Sequence, residues 1–312
     1  MKPKIVVIGS VNMDMIVRTA RIPKPGETVM GGRFIQSRGG KGANQAVAAA
    51  RLGAEVTLIA RLGKDDAGQS AFESFEKERI NTRYIAWDEK TPSGVALIMI
   101  DTTGENIICV APGANANLSK EDILKAEEAI RSADCVLLQL EIPLETVEFA
   151  ASMAVKHHVR VILNPAPMTR LPEGLMKMVD VLTPNQTEAL ALIGDAVAQT
   201  GKLATTLNRK YGFKNVVVTL GKEGAVVSRL DDPGPIHVAP FPVETVDATG
   251  AGDAFNGGLA VALGRGDDLI DAVRYANAVG ALATTREGAQ SVLPRTPEVE
   301  AFINRMVETD NR

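Results

Sequence analysis

Short, uninterrupted apolar runs alternate along this chain with stretches in which apolar residues recur every three or four positions. The runs at 4–8, 56–60, 135–140, 160–163, 179–182 and 216–220 are too short for ordinary helices and show no polar alternation. Strands of that kind are buried on both faces, the condition of a parallel sheet covered by helices. Between them, segments 44–52, 67–79, 120–131, 144–156 and 187–193 carry the helical period, and 252–263 and 268–284 read as two Ala- and Gly-rich helices able to pack closely. The expected fold class is therefore α/β: a doubly wound, mostly parallel sheet with helices on both faces.

Two regions break this rhythm. Residues 15–36 show β-like alternation interrupted by a Pro-rich turn, and 93–110 read as two strands joined by Thr-Thr-Gly. Neither is followed by a crossover helix. They are expected to form a small antiparallel sheet projecting as a lid from a single domain spanning residues 1–312.

With a formal net charge of -4 the chain lacks the basic excess of a nucleic-acid binder. No apolar run approaches the ~18 residues of a membrane span, and the short apolar start does not have the form of a secretory signal. The two cysteines, Cys109 and Cys135, each lie in an apolar strand-like segment and are expected to be buried, reduced thiols, consistent with a cytoplasmic protein.

The segment VDATGAGDAFNGG, residues 246–258, carries the most chemistry. Its glycines let the chain turn tightly into a helix, so that peptide N–H groups from Gly250 to Asp253 point outward together. Such a helix start is suited to hold an anion and to stabilise a transferring phosphoryl group. Asp253 there can accept the proton of an attacking hydroxyl. The plainer alternative makes Asp253 a helix cap and the glycines a turn.

A second segment, GGKGANQA from Gly39, also opens a helix and offers Lys41 and Asn44 as donors beside an approachable backbone. It is no phosphate-binding P-loop, since none of the four Gly-Lys pairs precedes Ser or Thr. In GSVNMD, Asn12 and Asp14 are two apart, which places both on one side of an extended chain and supplies the amide and carboxylate that polyols require. Glu141 follows a strand end, as do Asn185 and Glu188 in TPNQTE. Ligands bind at that edge of open α/β sheets, although Glu188 could equally be a first-turn helix acid. TLGKEG, residues 219–224, has the form of a plain β-turn. Histidines at 157, 158 and 237 have no metal-ligand spacing, Phe255 stands where a dinucleotide fingerprint needs glycine, and no Gly-x-Ser-x-Gly elbow occurs.

GGKGANQAVAAA and VDATGAGDAFNGG resemble the two marker motifs of the ribokinase (PfkB) carbohydrate kinase family, and the resemblance extends from GSVNMD through LNPAP, TPNQTE and VVVTLGKEG to TREGAQS. It implies a β-lidded α/β kinase that transfers phosphate from ATP to a primary hydroxyl of a small sugar, with D-ribose the expected acceptor. By motif it assigns Asn12, Asp14, Gly40, Lys41, Asn44 and Glu141 to the sugar, Asp253 as base, and Gly250, Ala251 and Gly252 to an anion hole. Asn185, Thr219, Gly221, Gly224, Gly252 and Asn277 are implied at the nucleotide, and Glu188 near Mg²⁺ through its waters. A monovalent cation, K⁺ by expectation, is implied at Asp247, Thr249, Ala283, Arg286, Gly288 and Ser291. Two departures stand out: Ser291 directly follows Gln290 where relatives often insert proline, and Ala248 replaces a more usual Thr. A homodimer formed through the lid is a further implication.

Other acceptors in such a family are 2-deoxyribose, fructose and nucleosides. One Trp and few aromatics argue against a base-stacking nucleoside pocket. A non-catalytic sensor on the same scaffold is opposed by the intact Asp253.

Overall fold

The computed structural model describes residues 2–194, 200–232 and 234–310. In chain order its strands are β1 (Lys4–Ile8), β2 (Asn12–Arg18), β3 (Arg33–Gly39), β4 (Glu55–Gly63), β5 (Ile85–Asp88), β6 (Gly94–Ile100), β7 (Asn106–Ala111), β8 (Cys135–Leu138), β9 (Arg160–Leu163), β10 (Val181–Leu182), β11 (Asn215–Thr219), β12 (Ala225–Arg229) and β13 (Ile236–Val238). The helices are α1 (Lys41–Arg51), α2 (Asp66–Lys77), α3 (Lys120–Lys125), α4 (Glu127–Arg131), α5 (Leu144–Lys156), α6 (Glu173–Met178), α7 (Gln186–Ile193), α8 (Leu203–Tyr211), α9 (Ala251–Gly264), α10 (Leu269–Ala283) and α11 (Thr296–Asp310).

The larger sheet has nine strands in the order β13-β12-β11-β10-β9-β8-β1-β4-β5. It is parallel from β5 to β11, and only the β11–β12 and β12–β13 pairs are antiparallel. Along β1, Ile5 and Val7 enter one apolar core while Val6 and Ile8 enter the other. That division explains why the strand has no polar face: both sides are covered. The chain winds outward from β1 in both directions, toward β4 and toward β8. Parallel strands bring their carboxyl ends to one edge, and the reversal of winding opens a crevice there.

The smaller sheet has the order β3-β2-β6-β7, with β2 and β6 parallel and the outer pairs antiparallel. Phe34, Leu97, Ile107, Ile108 and Val110 of this sheet are all exposed. Cys109 lies among them and is exposed, contrary to the expectation of a buried thiol. Its segment is apolar because it belongs to this outward-facing sheet, not because it enters the core. Cys135 is buried in β8 as expected, and burial pushes its thiol up to about 11.

Two element boundaries also differ from expectation. The helix at 120–131 is two helices, because Ala126 N–H closes to Ile123 and leaves the α ladder. β8 stops at Leu138, where Gln139 turns its side chain to Gln45 on α1. Among the described residues no helix is long and apolar enough to cross a membrane.

A candidate active site at the carboxyl edge of the sheet

The site is assembled where α1 and α9 begin side by side. Their approach depends on small residues: a Cβ on Gly257 of α9 would stand 2.5 Å from Ala48 Cβ and 3.1 Å from the Ala49 nitrogen of α1. α9 starts at Gly250, whose φ of 76° suits glycine and few other residues. Asp253 occupies its first turn and is 7% exposed. Asn44 Nδ2 donates to Asp253 Oδ2 and Gln45 Nε2 donates to Oδ1, each at 2.9 Å. A Cβ on Gly252, beside the base, would meet nothing within 4 Å. Among the described residues the N–H groups of Gly250, Gly252 and Asp253 have no backbone partner, whereas Ala251 N–H closes the turn onto the Ala248 carbonyl at 3.2 Å. The first turn of α9 thus presents most of its peptide donors to open space next to a fixed carboxylate.

β1 delivers Ser10 and then β2, on which Asn12 and Asp14 share the buried side as their spacing predicts. Asp14 fits because β3 ends in Gly39, where a Cβ would lie 2.1 Å from Asp14 Oδ2. Glu141 Oε2 accepts from Ser10 Oγ and from the Lys41 backbone N–H at 3.1 Å. Asn115 Nδ2 donates to Asn12 Oδ1 at 2.8 Å and Val11 N–H donates to Asn115 Oδ1. Gly40, with φ 88°, makes the turn into α1. Thus Asn12, Asp14, Gly40, Lys41, Asn44, Glu141 and Asp253 do come together.

Electrostatically the pocket is crowded with carboxylates. Burial, then the charges of Glu141 and Asp253, push Asp14 up to about 7. Burial likewise raises Asp253, opposed by Lys41, Asn44 and Gln45. Burial disfavours the Lys41 ammonium, but Asp253, Glu141, Glu188 and Asp14 outweigh it and raise its pKa. The net arrangement is one cation among four acids, rich in acceptors for hydroxyl groups.

A second group lies along the same edge. Asn185 caps α7 and forms a bridge with Thr219 at the end of β11. Glu188 completes a capping box with Asn185, so the plainer structural reading of Glu188 is satisfied too. Its Oε2 accepts from Asn185 N–H, while Oε1 has no donor among the described residues. Burial raises its pKa. Residues 219–224 form a short 3₁₀ turn at Gly221–Glu223, closed by Gly224. Asn277 is buried and donates to the carbonyls of Val238 and Ala239, which holds the strand beside Gly224 and leaves only Oδ1 uncommitted.

The third group clamps two loops. Asp247 Oδ1 accepts from Thr249 N–H and Oγ–H, Asp247 Oδ2 accepts from Gly288 N–H, and Asp247 N–H donates to Thr284. Burial acts against the Asp247 carboxylate, but these donors and Arg18 lower its pKa overall. Ala283 ends α10, where carbonyls fall outside the helical ladder. The Arg286 side chain is turned away to Glu298. The Ser291 carbonyl accepts from Arg51 at 3.2 Å, so Ser291 brings mainly its hydroxyl to this group.

Several residues in this constellation were not singled out from sequence. Gln45 stands inside a quoted motif, and Gln139 interrupts an otherwise apolar run. Both were visible as polar residues in apolar company. Asn164 and Thr183 also stand inside quoted motifs, LNPAP and TPNQTE, whereas Asn115 gave no such signal, since its partner is far away in sequence. Arg18 and Arg51 are surface-type residues whose roles appear only once the loops are folded against them.

Residues 2–296 match the pfkB family carbohydrate kinase pattern. The chain belongs to the pfkB family of carbohydrate kinases. It is 40% identical over 305 residues to a ribokinase of Haemophilus influenzae, covering 97% of this chain and 99% of that protein. It is 38% identical over 304 residues to a deoxyribokinase of Salmonella typhi, covering 96% and 98%. Among solved structures, Arabidopsis thaliana ribokinase complexed with ribose and ATP superposes with a TM-score of 0.87 at 33% identity, covering 97% of this chain and 99% of that one.

Proposed function

We propose that this chain transfers the γ-phosphoryl group of ATP to the 5-hydroxyl of D-ribose, giving D-ribose 5-phosphate and ADP. The observation that carries this reading is the Asp253 carboxylate, fixed by Asn44 and Gln45, beside the unencumbered first turn of α9. The ribokinase relatives name the acceptor.

Asn12, Asp14, Lys41, Asn44 and Glu141, with the Gly40 backbone, hold the sugar hydroxyls. Asp253 takes the proton of the terminal hydroxyl as its oxygen bonds to the γ-phosphorus, and the bond to the β-phosphate oxygen breaks to release ADP. Peptide N–H groups of Gly250 and Gly252, joined by that of Ala251 once it leaves the Ala248 carbonyl it donates to at 3.2 Å, stabilise charge on the transferring group. Asn185, Thr219, Gly221, Gly224, Gly252 and Asn277 line the nucleotide.

The family implies Mg²⁺ and a monovalent cation. Among the described residues no group of three or more His, Cys, Asp or Glu could hold a metal directly, which fits a Mg²⁺ carried by nucleotide phosphates, with Glu188 Oε1 reaching its waters. Bound there, Mg²⁺ supplies charge neutralisation at the phosphates. The Asp247–Thr249 and Ala283–Ser291 loops offer the oxygen-rich donors a hard cation such as K⁺ takes. Phe34, Leu97 and Ile107 share one exposed apolar face of the lid with Cys109, suited to a second copy of the chain.

The deoxyribokinase relative makes 2-deoxyribose the second reading. Measuring ADP release with ribose, 2-deoxyribose, fructose and adenosine separates them: ribose is expected to give the highest kcat/KM. A higher value for 2-deoxyribose would replace ribose as the acceptor.

A further inference from the structure

Behind Asp253 runs a relay of amides that never reaches solvent. Gln45 and Gln139 are fully buried. An ionised carboxylate only accepts hydrogen bonds, so the Gln45 group facing Asp253 Oδ1 is its NH₂. The planar amide then turns Gln45 Oε1 the other way, where Gln139 Nε2 donates to it at 2.7 Å. The second Gln45 hydrogen lies toward Asn164 Oδ1 at 3.2 Å. Asn164 in turn donates to the Thr183 carbonyl, which prevents it from rotating freely. Gln139 Oε1 has no hydrogen-bond partner among the described residues. It is packed against Gly9, where a Cβ would stand only 1.9 Å away.

A buried carbonyl without a donor costs on the order of 1–3 kcal/mol. Leucine or methionine at 139 would avoid that cost in an otherwise apolar region. The one thing glutamine adds is its NH₂, and among the described residues that NH₂ reaches Gln45 alone. Local stability therefore gives no reason for the residue, whereas the orientation of Gln45 does.

We propose that Gln139 is a positioning residue for catalysis: by donating to Gln45 Oε1 it sets the Gln45 amide with NH₂ toward Asp253, and so orients the base. Without that donor Gln45 Oε1 is left unpaired and only Asp253 Oδ1 and Asn164 Oδ1 still hold its NH₂, so the amide is less firmly set and the hydrogen bond to the base is weakened. Lys41, Asp14, Glu141 and Glu188 also act on Asp253, and Gln139 hydrogen-bonds to none of them. The proposal rests on Asp253 being the base, but it is read from variants in which Asp253 is intact.

The test is the pH dependence of kcat for Gln139→Met and Gln139→Glu. Each is expected to lower kcat about tenfold or more and to shift the acid limb upward by about one pH unit, as loss of a donor to the charged form requires. KM for the sugar should change by less than about threefold, because Gln139 does not face the hydroxyl-binding residues. Gln139→Glu only accepts once ionised, so it reverses the relay while keeping shape. In a Gln45→Met background, Gln139→Met should produce no further change in kcat, since both partners are then apolar. That comparison keeps a filled core and holds even if one single variant misfolds. An acid limb that stays in place, or a full additional loss in the double variant, overturns the proposal.

Discussion

Burial raises both Asp14 and Asp253, and the charge of Asp253 raises Asp14 further. For Asp14 the consequence can be given a sign. Its folded-state value of about 7 lies above the ordinary 3.8, so between those values the folded protein keeps a proton that the unfolded chain has lost. Stability from this group is therefore lost as pH rises through that window, and binding of hydroxyls by the ionised carboxylate is gained near its upper end. The sugar KM should fall as pH goes from about 6 to 8. Asp14→Asn should have a raised, pH-independent sugar KM and should melt above the wild type at pH 8. A wild-type KM that is flat across the window would contradict this. Asn12 and Asp14 were legible because a spacing of two is informative in a strand. Asn115, which orients Asn12 from 103 positions away, was not. A single sequence does not say which distant amide will fold against which.

Among elements, the start of α9 matters most. Gly250 is there for its backbone, with φ 76°, whereas Gly252 is there for what its missing side chain leaves open. Gly252→Ala should fold normally, and helix propensity alone favours alanine by about 0.5–1 kcal/mol. It should nevertheless lower kcat, because the methyl enters the space where the phosphoryl group would lie. A melting temperature unchanged or raised together with reduced turnover is the expected pair. Unimpaired turnover would remove the helix start from the chemistry. Elements with continuous apolar runs, such as β1 and β9, were legible because two covered faces demand an uninterrupted pattern. The break at Ala126 was not, since every residue around it is an acceptable helix former and the break is made by one shortened hydrogen bond. The outward-facing β7 misled for the same reason: apolar composition shows that a surface is to be covered, not by what.

For the whole molecule, the lid is tied to the body at several points: Arg18 at the end of β2 pairs with Glu287 at 3.0 Å and Asp247 at 3.5 Å, and Arg38 on β3 donates to the Ser70 carbonyl and hydroxyl, each at 3.2 Å. The lid's outer face should be covered by a second copy of the chain. Cys109 reports this directly: in dilute native protein it should react slowly with a thiol reagent, and Ile107→Asp, on the same face, should give a monomer whose Cys109 reacts fast. Fast reaction in the wild type would leave that face uncovered. The account as a whole depends on a carboxylate receiving a proton beside an anion-binding helix start, and the most direct measurement is Asp253→Asn with sugar affinity determined calorimetrically alongside turnover. A fall in kcat of roughly 10²–10⁴-fold is predicted, with sugar affinity changed far less. Turnover close to wild type in that variant would contradict it.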